Sequence, residues 1–149
     1  SDVYKRQDNN LSKTLDSPEL IEEFKVASEK IADHYEKLEF SKAQKEIMLL
    51  ADKANQYVDS KQPWVLIKDK VNEELVHSIC TTSLNLFRIL TIMLQPVIPG
   101  FVDKSLRFLK EDNIEWNSIN KTLLNCKIEN FEAIVTRIDD NHLDKLMGN

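Results

Sequence analysis

From Leu20 onward, apolar residues return every three or four positions: Leu20, Phe24, Ala27, Ile31, Tyr35 and Leu38. That spacing puts them on one face of an α-helix. Ser17, Pro18 and Glu19 precede the stripe as a start signal: a capping hydroxyl, a proline tolerated in the first turn, and an acid near the positive end of the helix dipole. A second helix is predicted over about 41–58, with Ala43, Ile47, Leu50, Ala51, Ala54 and Tyr57 or Val58 on its apolar face. Pro63 breaks the chain, and "WVLIK" opens a short helix. A third long helix is predicted over about 72–94. Its second half, "LNLFRILTIML", is apolar nearly all round and belongs at the centre of the fold. Pro96 and Pro99 mark the next boundary, and a fourth helix follows over about 101–109, with Phe101, Leu106 and Leu109 on one side. Then come "IEWNSI", an extended "TLLNCKI", and a last helix over about 140–147. Strand-like alternation is almost missing. The pattern predicts an all-α fold, an antiparallel bundle of about five helices with short connections. Residues 1–14, where "SDVYKRQ" carries no period, are expected to be poorly structured, and the bundle to occupy 15–149.

Composition narrows this picture. The chain has 149 residues, enough for one domain with a real core. Apolar residues make up 42% and charged residues 30%, a soluble globular profile. The longest apolar run is cut by Arg88 and ended by Pro96, too short to span a bilayer. Two cysteines, Cys80 and Cys126, spell neither a disulfide framework nor a zinc cluster, and read as small apolar fillers of a reduced, cytoplasmic chain.

The chemistry is bounded by what the chain lacks. Only Gly100 and Gly148 are glycines, so no phosphate-cradling loop can be written. His34, His77 and His142 lie apart without metal-ligand spacing, and His34 and His77 read as solvated helix-surface residues. No catalytic residue and no metal site is assigned, and no cofactor is expected in this chain. The net charge of −5 argues against a general nucleic-acid binder. Charge is uneven, however. Residues 16–39 hold eight acids and three lysines, whereas 42–70 hold six lysines and four acids. Arg88, inside an apolar helix, needs a buried partner, with Asn85 one turn earlier as candidate neighbour. Asn55 and Tyr57 read as packing residues of their helix. Trp116, in "DNIEWNSI", reads as a plug over one end of the bundle. Trp64, directly after Pro63, reads either as a second plug or as an exposed flat surface.

Four stretches, in order, carry a resemblance. They are "FSKAQKEIM", "ANQYVDSKQPW" with Asn55, Tyr57, Pro63 and Trp64, "NLFRILTIMLQPVIP" with Asn85, Arg88, Pro96 and Pro99, and "FEAIVTRID". Together they cover roughly residues 15–146 and resemble the anticodon-binding helical domain of methionyl-tRNA synthetase, a class I aminoacyl-tRNA synthetase.

The resemblance implies a helical bundle that reads the CAU anticodon of methionine tRNA, beside a separate catalytic domain of the same parent enzyme. That domain would use ATP with magnesium, and its signatures do not appear here, so this chain looks like a fragment that should be inactive alone. The resemblance places the stacking platform for the first anticodon base at Trp64, with Pro63 fixing its approach. Physics supports such a platform, because unpaired bases expose faces that stack on aromatic rings. Lys61, Lys68 and Lys70 lie close enough in sequence to meet RNA phosphates. The family also uses an asparagine and an arginine upstream of the first long helix. By spacing these fall before or within the first residues, where nothing matches, and neither is carried over. Two other readings stay open: the anticodon bundle of another class I synthetase, and a helical protein-interaction domain.

Overall fold

The computed structural model describes residues 9–111 and 113–128. Among these, the helices are α1 (Pro18–Glu36), α2 (Phe40–Lys61), the single turn α3 (Pro63–Leu66), α4 (Glu73–Met93) and α5 (Pro99–Leu106). Short 3-10 turns cover Lys70–Asn72, Arg107–Leu109 and Trp116–Asn120. The all-α expectation holds, since the described residues contain one isolated antiparallel bridge, Asn10 with Lys127, and no longer strand. The helix expected over 140–147 and the "FEAIVTRID" stretch lie outside the described residues.

The side-chain bonds report the helix directions. Glu23 pairs with Lys53 and Glu46 with Lys30, so a partner on α2 recedes as α1 advances and the two run antiparallel. By contrast, Asp16 N–H donates to Thr82 and the Tyr35 hydroxyl to the Met93 carbonyl, so α1 and α4 advance together. Helix α4 is the centre. Thirteen of its 21 residues are buried, against four each in α1 and α2. Phe24, Ile31, Ile79, Leu86, Ile89 and Ile92 are fully enclosed, each contributing about 1.5–3 kcal/mol by leaving water. The stretch 70–93 is long and apolar enough to cross a membrane by length and composition, against the expectation that it was too short. Two-thirds of that window is buried inside the bundle, as a core helix requires.

Four expectations need correction. Residues 9–14 are not loose: Leu11 is 1% exposed, its N–H donates to the Cys126 carbonyl, and the Ser12 N–H donates to Thr81. A lone leucine among polar neighbours shows no period, yet it closes the α4 side of the core. Ser17 stands at the N-cap of α1, but its hydroxyl makes no capping bond. His77 is buried rather than solvated, its Nε2 lying 2.7 Å from the Asn10 carbonyl. Arg88 is not paired with Asn85. Its guanidinium grips both carboxylate oxygens of Glu111 at 2.8 Å and donates to the Ser118 and Lys121 carbonyls. Asn85 instead exchanges two bonds with the Leu123 backbone, at 2.8 and 3.0 Å. Together Arg88 and Asn85 fasten the irregular stretch 118–123 along α4.

Candidate nucleic-acid interface

Trp64 sits where α2 stops. Helix α2 ends at Gln62, whose φ of 47° and ψ of 58° lie in the left-handed region. That conformation is unfavourable for a side chain with a Cβ, and it reverses the chain sharply. Pro63 then takes the first position of α3, where its fixed φ suits a helix start and its missing N–H is no loss. The turn is closed by Val65 and Leu66 N–H groups on the Gln62 carbonyl, at 2.9 and 3.2 Å. Asn72 anchors the far side, donating to the Leu66 carbonyl at 3.2 Å. Leu66 packs against the core while Trp64 and Val65 face outward.

The result is an indole 53% exposed, with no aromatic partner among the described residues. Val65, the next residue, and Val71, seven positions on, are exposed as well. A large apolar ring left half in water at the start of a pinned turn offers its exposed surface to an incoming flat group for stacking. Trp116 is built differently. It is only part-buried and opens a 3-10 turn, but it packs edge-on against Tyr35 with ring centroids 5.9 Å apart. It serves the plug role expected of it.

The three candidate lysines divide. Lys61 Nζ is 3.1 Å from the Asp16 carboxylate and 6.0 Å from the centre of the Tyr57 ring. Lys68 and Lys70 are exposed, and neither makes an ion pair or side-chain hydrogen bond among the described residues. Elsewhere in the lysine-rich stretch, Lys42 pairs with Glu39 and Lys53 with Glu23. Half of its six lysines are therefore neutralised by the fold, and the two unengaged cations nearest Trp64 in sequence are Lys68 and Lys70.

Behind the turn lies a feature the sequence did not announce. Asp16, just before α1, accepts the Tyr57 hydroxyl at 2.8 Å as well as the Lys61 ammonium. Burial, with the Asp16 carboxylate added, holds the Tyr57 phenol above its ordinary range. Tyr57 is thus the packing residue expected, whereas Asn55 is exposed. No periodicity marks Asp16, because its partners lie 41 to 66 residues away.

Among the described residues no group of His, Cys, Asp and Glu side chains is arranged to hold a metal ion. Cys80 and Cys126 are part-buried, and burial raises both thiols above their usual range. An apolar groove of 330 Å³ runs between α2 and α4, walled by Met48, Ala51, Phe87, Leu90 and Phe101, with Asn55, Ser83 and Thr91 supplying its polar atoms. No charged side chain lines it, so it offers nothing to hold a phosphate.

Comparison with known proteins gives the family. A methionine–tRNA ligase of Francisella tularensis subsp. tularensis (strain WY96-3418) is 40% identical over 145 residues, which are 97% of this chain and 22% of that protein. The enzyme of the same name from Francisella tularensis subsp. holarctica (strain OSU18) matches with the same identity and coverage. The chain thus spans about a fifth of the length of the curated relatives it matches. Residues 11–146 match the family described as the anticodon binding domain of methionyl tRNA ligase, and the chain belongs to that family.

Proposed function

We propose that this chain is the anticodon-reading part of a cytoplasmic methionine–tRNA ligase. It holds the anticodon loop of methionine tRNA while a catalytic domain of the same parent enzyme, using ATP and magnesium, attaches methionine. The observation that carries the reading is the exposed Trp64 ring, presented after Pro63 by a turn tied down on both sides. Trp64 stacks on the first anticodon base. Pro63 restricts the backbone before the ring, so less conformational freedom is lost on binding. Lys68 and Lys70 meet backbone phosphates, whose pull is local and does not require a basic protein overall.

The test is binding of an RNA hairpin with CAU in its loop. Trp64→Ala is expected to weaken binding by about 1–3 kcal/mol, the worth of one base stacked on an aromatic ring. A hairpin with a changed loop should bind the parent chain no better than the variant binds CAU. Unchanged affinity in Trp64→Ala would remove the ring from recognition. The chain alone is expected to give no pyrophosphate exchange with methionine and ATP, because it has no phosphate-cradling loop. Exchange above background would overturn that expectation.

A further inference from the structure

The proposed platform needs more than an exposed ring; the ring must be aimed. Trp64 lies three residues beyond Lys61, with only Gln62 and Pro63 between them. Gln62 is in a left-handed conformation that a non-glycine residue keeps only when its surroundings enforce it. What enforces it on the α2 side is the last turn of α2, where Gln62 N–H donates to the Val58 carbonyl at 3.0 Å. Helix ends fray unless side chains hold them. Here two residues of that turn, Tyr57 and Lys61, spaced four apart, converge on one carboxylate oxygen of Asp16. Asp16 is itself held, its side chain 11% exposed and its backbone N–H donating to Thr82 on α4 at 2.9 Å. A continuous chain of bonds therefore runs from the core helix α4 through Asp16 to the turn that aims Trp64.

We infer that Asp16 is a positioning residue for the Trp64 platform, and that Lys61 belongs to this clamp and does not contact RNA phosphate. The inference rests on the reading of Trp64 as a base-stacking surface and assigns a role to residues behind it. Its physical basis is pre-organisation: a ring already fixed in the stacking geometry loses less freedom on binding than a mobile one. A lysine whose charge is met by a neighbouring carboxylate releases no counterion when RNA arrives, so it adds nothing to the salt dependence of binding.

The experiment uses the 149-residue chain and the CAU hairpin. Trp116→Phe, which keeps an aromatic edge on Tyr35, serves as background so that Trp64 is the single indole. Hairpin affinity is measured over a range of salt, and the fluorescence anisotropy of Trp64 is read in the free chain. Asp16→Asn and Lys61→Met are each expected to weaken binding about three- to tenfold, a fraction of the stacking term. Both should lower the anisotropy, and in neither should the salt slope fall. Lys68→Met should instead reduce the slope by about 0.7, the step for one single-strand phosphate, with anisotropy unchanged. A slope that drops in Lys61→Met as it does in Lys68→Met would make Lys61 a phosphate contact and overturn the assignment. So would an Asp16→Asn chain that melts earlier yet keeps its affinity and anisotropy, since Asp16 would then be purely structural. If Asp16→Asn does not fold, Lys61→Met, cut at a part-exposed side chain, decides alone. Trp64→Ala with unchanged affinity sinks the platform reading and this inference together. Trp64→Ala that binds weakly beside an unaffected Asp16→Asn and Lys61→Met sinks the inference only.

Discussion

The two tryptophans occupy opposite ends of one bundle and answer to opposite demands. At the end where α1 finishes, Trp116 packs its edge on Tyr35, whose hydroxyl is bonded to the last turn of α4. At the end where α1 begins, the tyrosine is buried, but Tyr57 spends its hydroxyl on Asp16 and leaves the indole half in water. Each end thus has a tyrosine tied to the frame and a tryptophan after a turn, and only one tryptophan is used by the fold. A ring packed on a neighbour is committed to the fold; a half-exposed ring standing on a fixed turn keeps its exposed surface for a ligand. Residue type does not distinguish the two. The bonds of the surrounding frame do.

The contrast can be broken most forcefully at the Trp116 end. Glu111→Ala would leave the Arg88 guanidinium buried without its carboxylate, and removing one partner of such a pair costs about 3–5 kcal/mol. Urea unfolding should show a loss of that size, together with loosening of 118–123, which Arg88 holds through two carbonyls. A loss under about 1 kcal/mol would mean the pair behaves as an exposed one. Next in size, Trp116→Ala should destabilise by about 2–3 kcal/mol, below the range for a fully buried tryptophan because this one is only part-buried. Trp64→Ala should stay within about 0.5 kcal/mol of the parent. The same denaturation series compares them, and a reversed order would exchange the roles of the two indoles.

The smallest effect sharpens the comparison between the tyrosines. Burial first, and Asp16 second, raise the Tyr57 phenol in the folded chain above its ordinary value of 10.0. A raised pKa means that the folded state holds the proton more tightly. The resulting stability is complete below pH 10.0 and is lost as pH rises beyond it, because the unfolded chain ionises first. Tyr57→Phe should therefore flatten the fall in urea midpoint as pH rises above about 10, while lowering the neutral-pH midpoint through the lost Asp16 bond. Tyr35 is raised by burial too and continues to contribute in both chains. An unchanged alkaline slope would remove Tyr57 from the buried network.

Much of this was legible in the sequence, and the reason is locality. The apolar stripes of α1, α2 and α4 repeat within a few residues, so each helix announces its own buried face. Pro63 before Trp64 is likewise a local signal, and the turn it predicts is there. What stayed hidden was long-range. Leu11 gives no period because it belongs to no helix and is buried by residues far along the chain. His77 looked like a surface histidine because its partner, the Asn10 carbonyl, is 67 residues earlier. The Arg88 partner was sought one turn away and lies 23 residues on, in Glu111. Asp16 passed unnoticed for the same reason, although it stands directly before the Ser17-Pro18 start signal that drew the eye.

The antiparallel bridge between residues 9–12 and 125–128 has a mechanical consequence. Three backbone bonds join the two segments: Leu11 N–H to Cys126, Asn125 N–H to Ser12, and Ile128 N–H to Asn9. Asn9 and Ile128 lie at the same end of this ladder, so drawing them apart loads the bonds one after another, as a zip is opened. Tension applied across these two points would reach helix α4 together with the ladder, because the Asn10 carbonyl is held by His77 and the Ser12 N–H by Thr81.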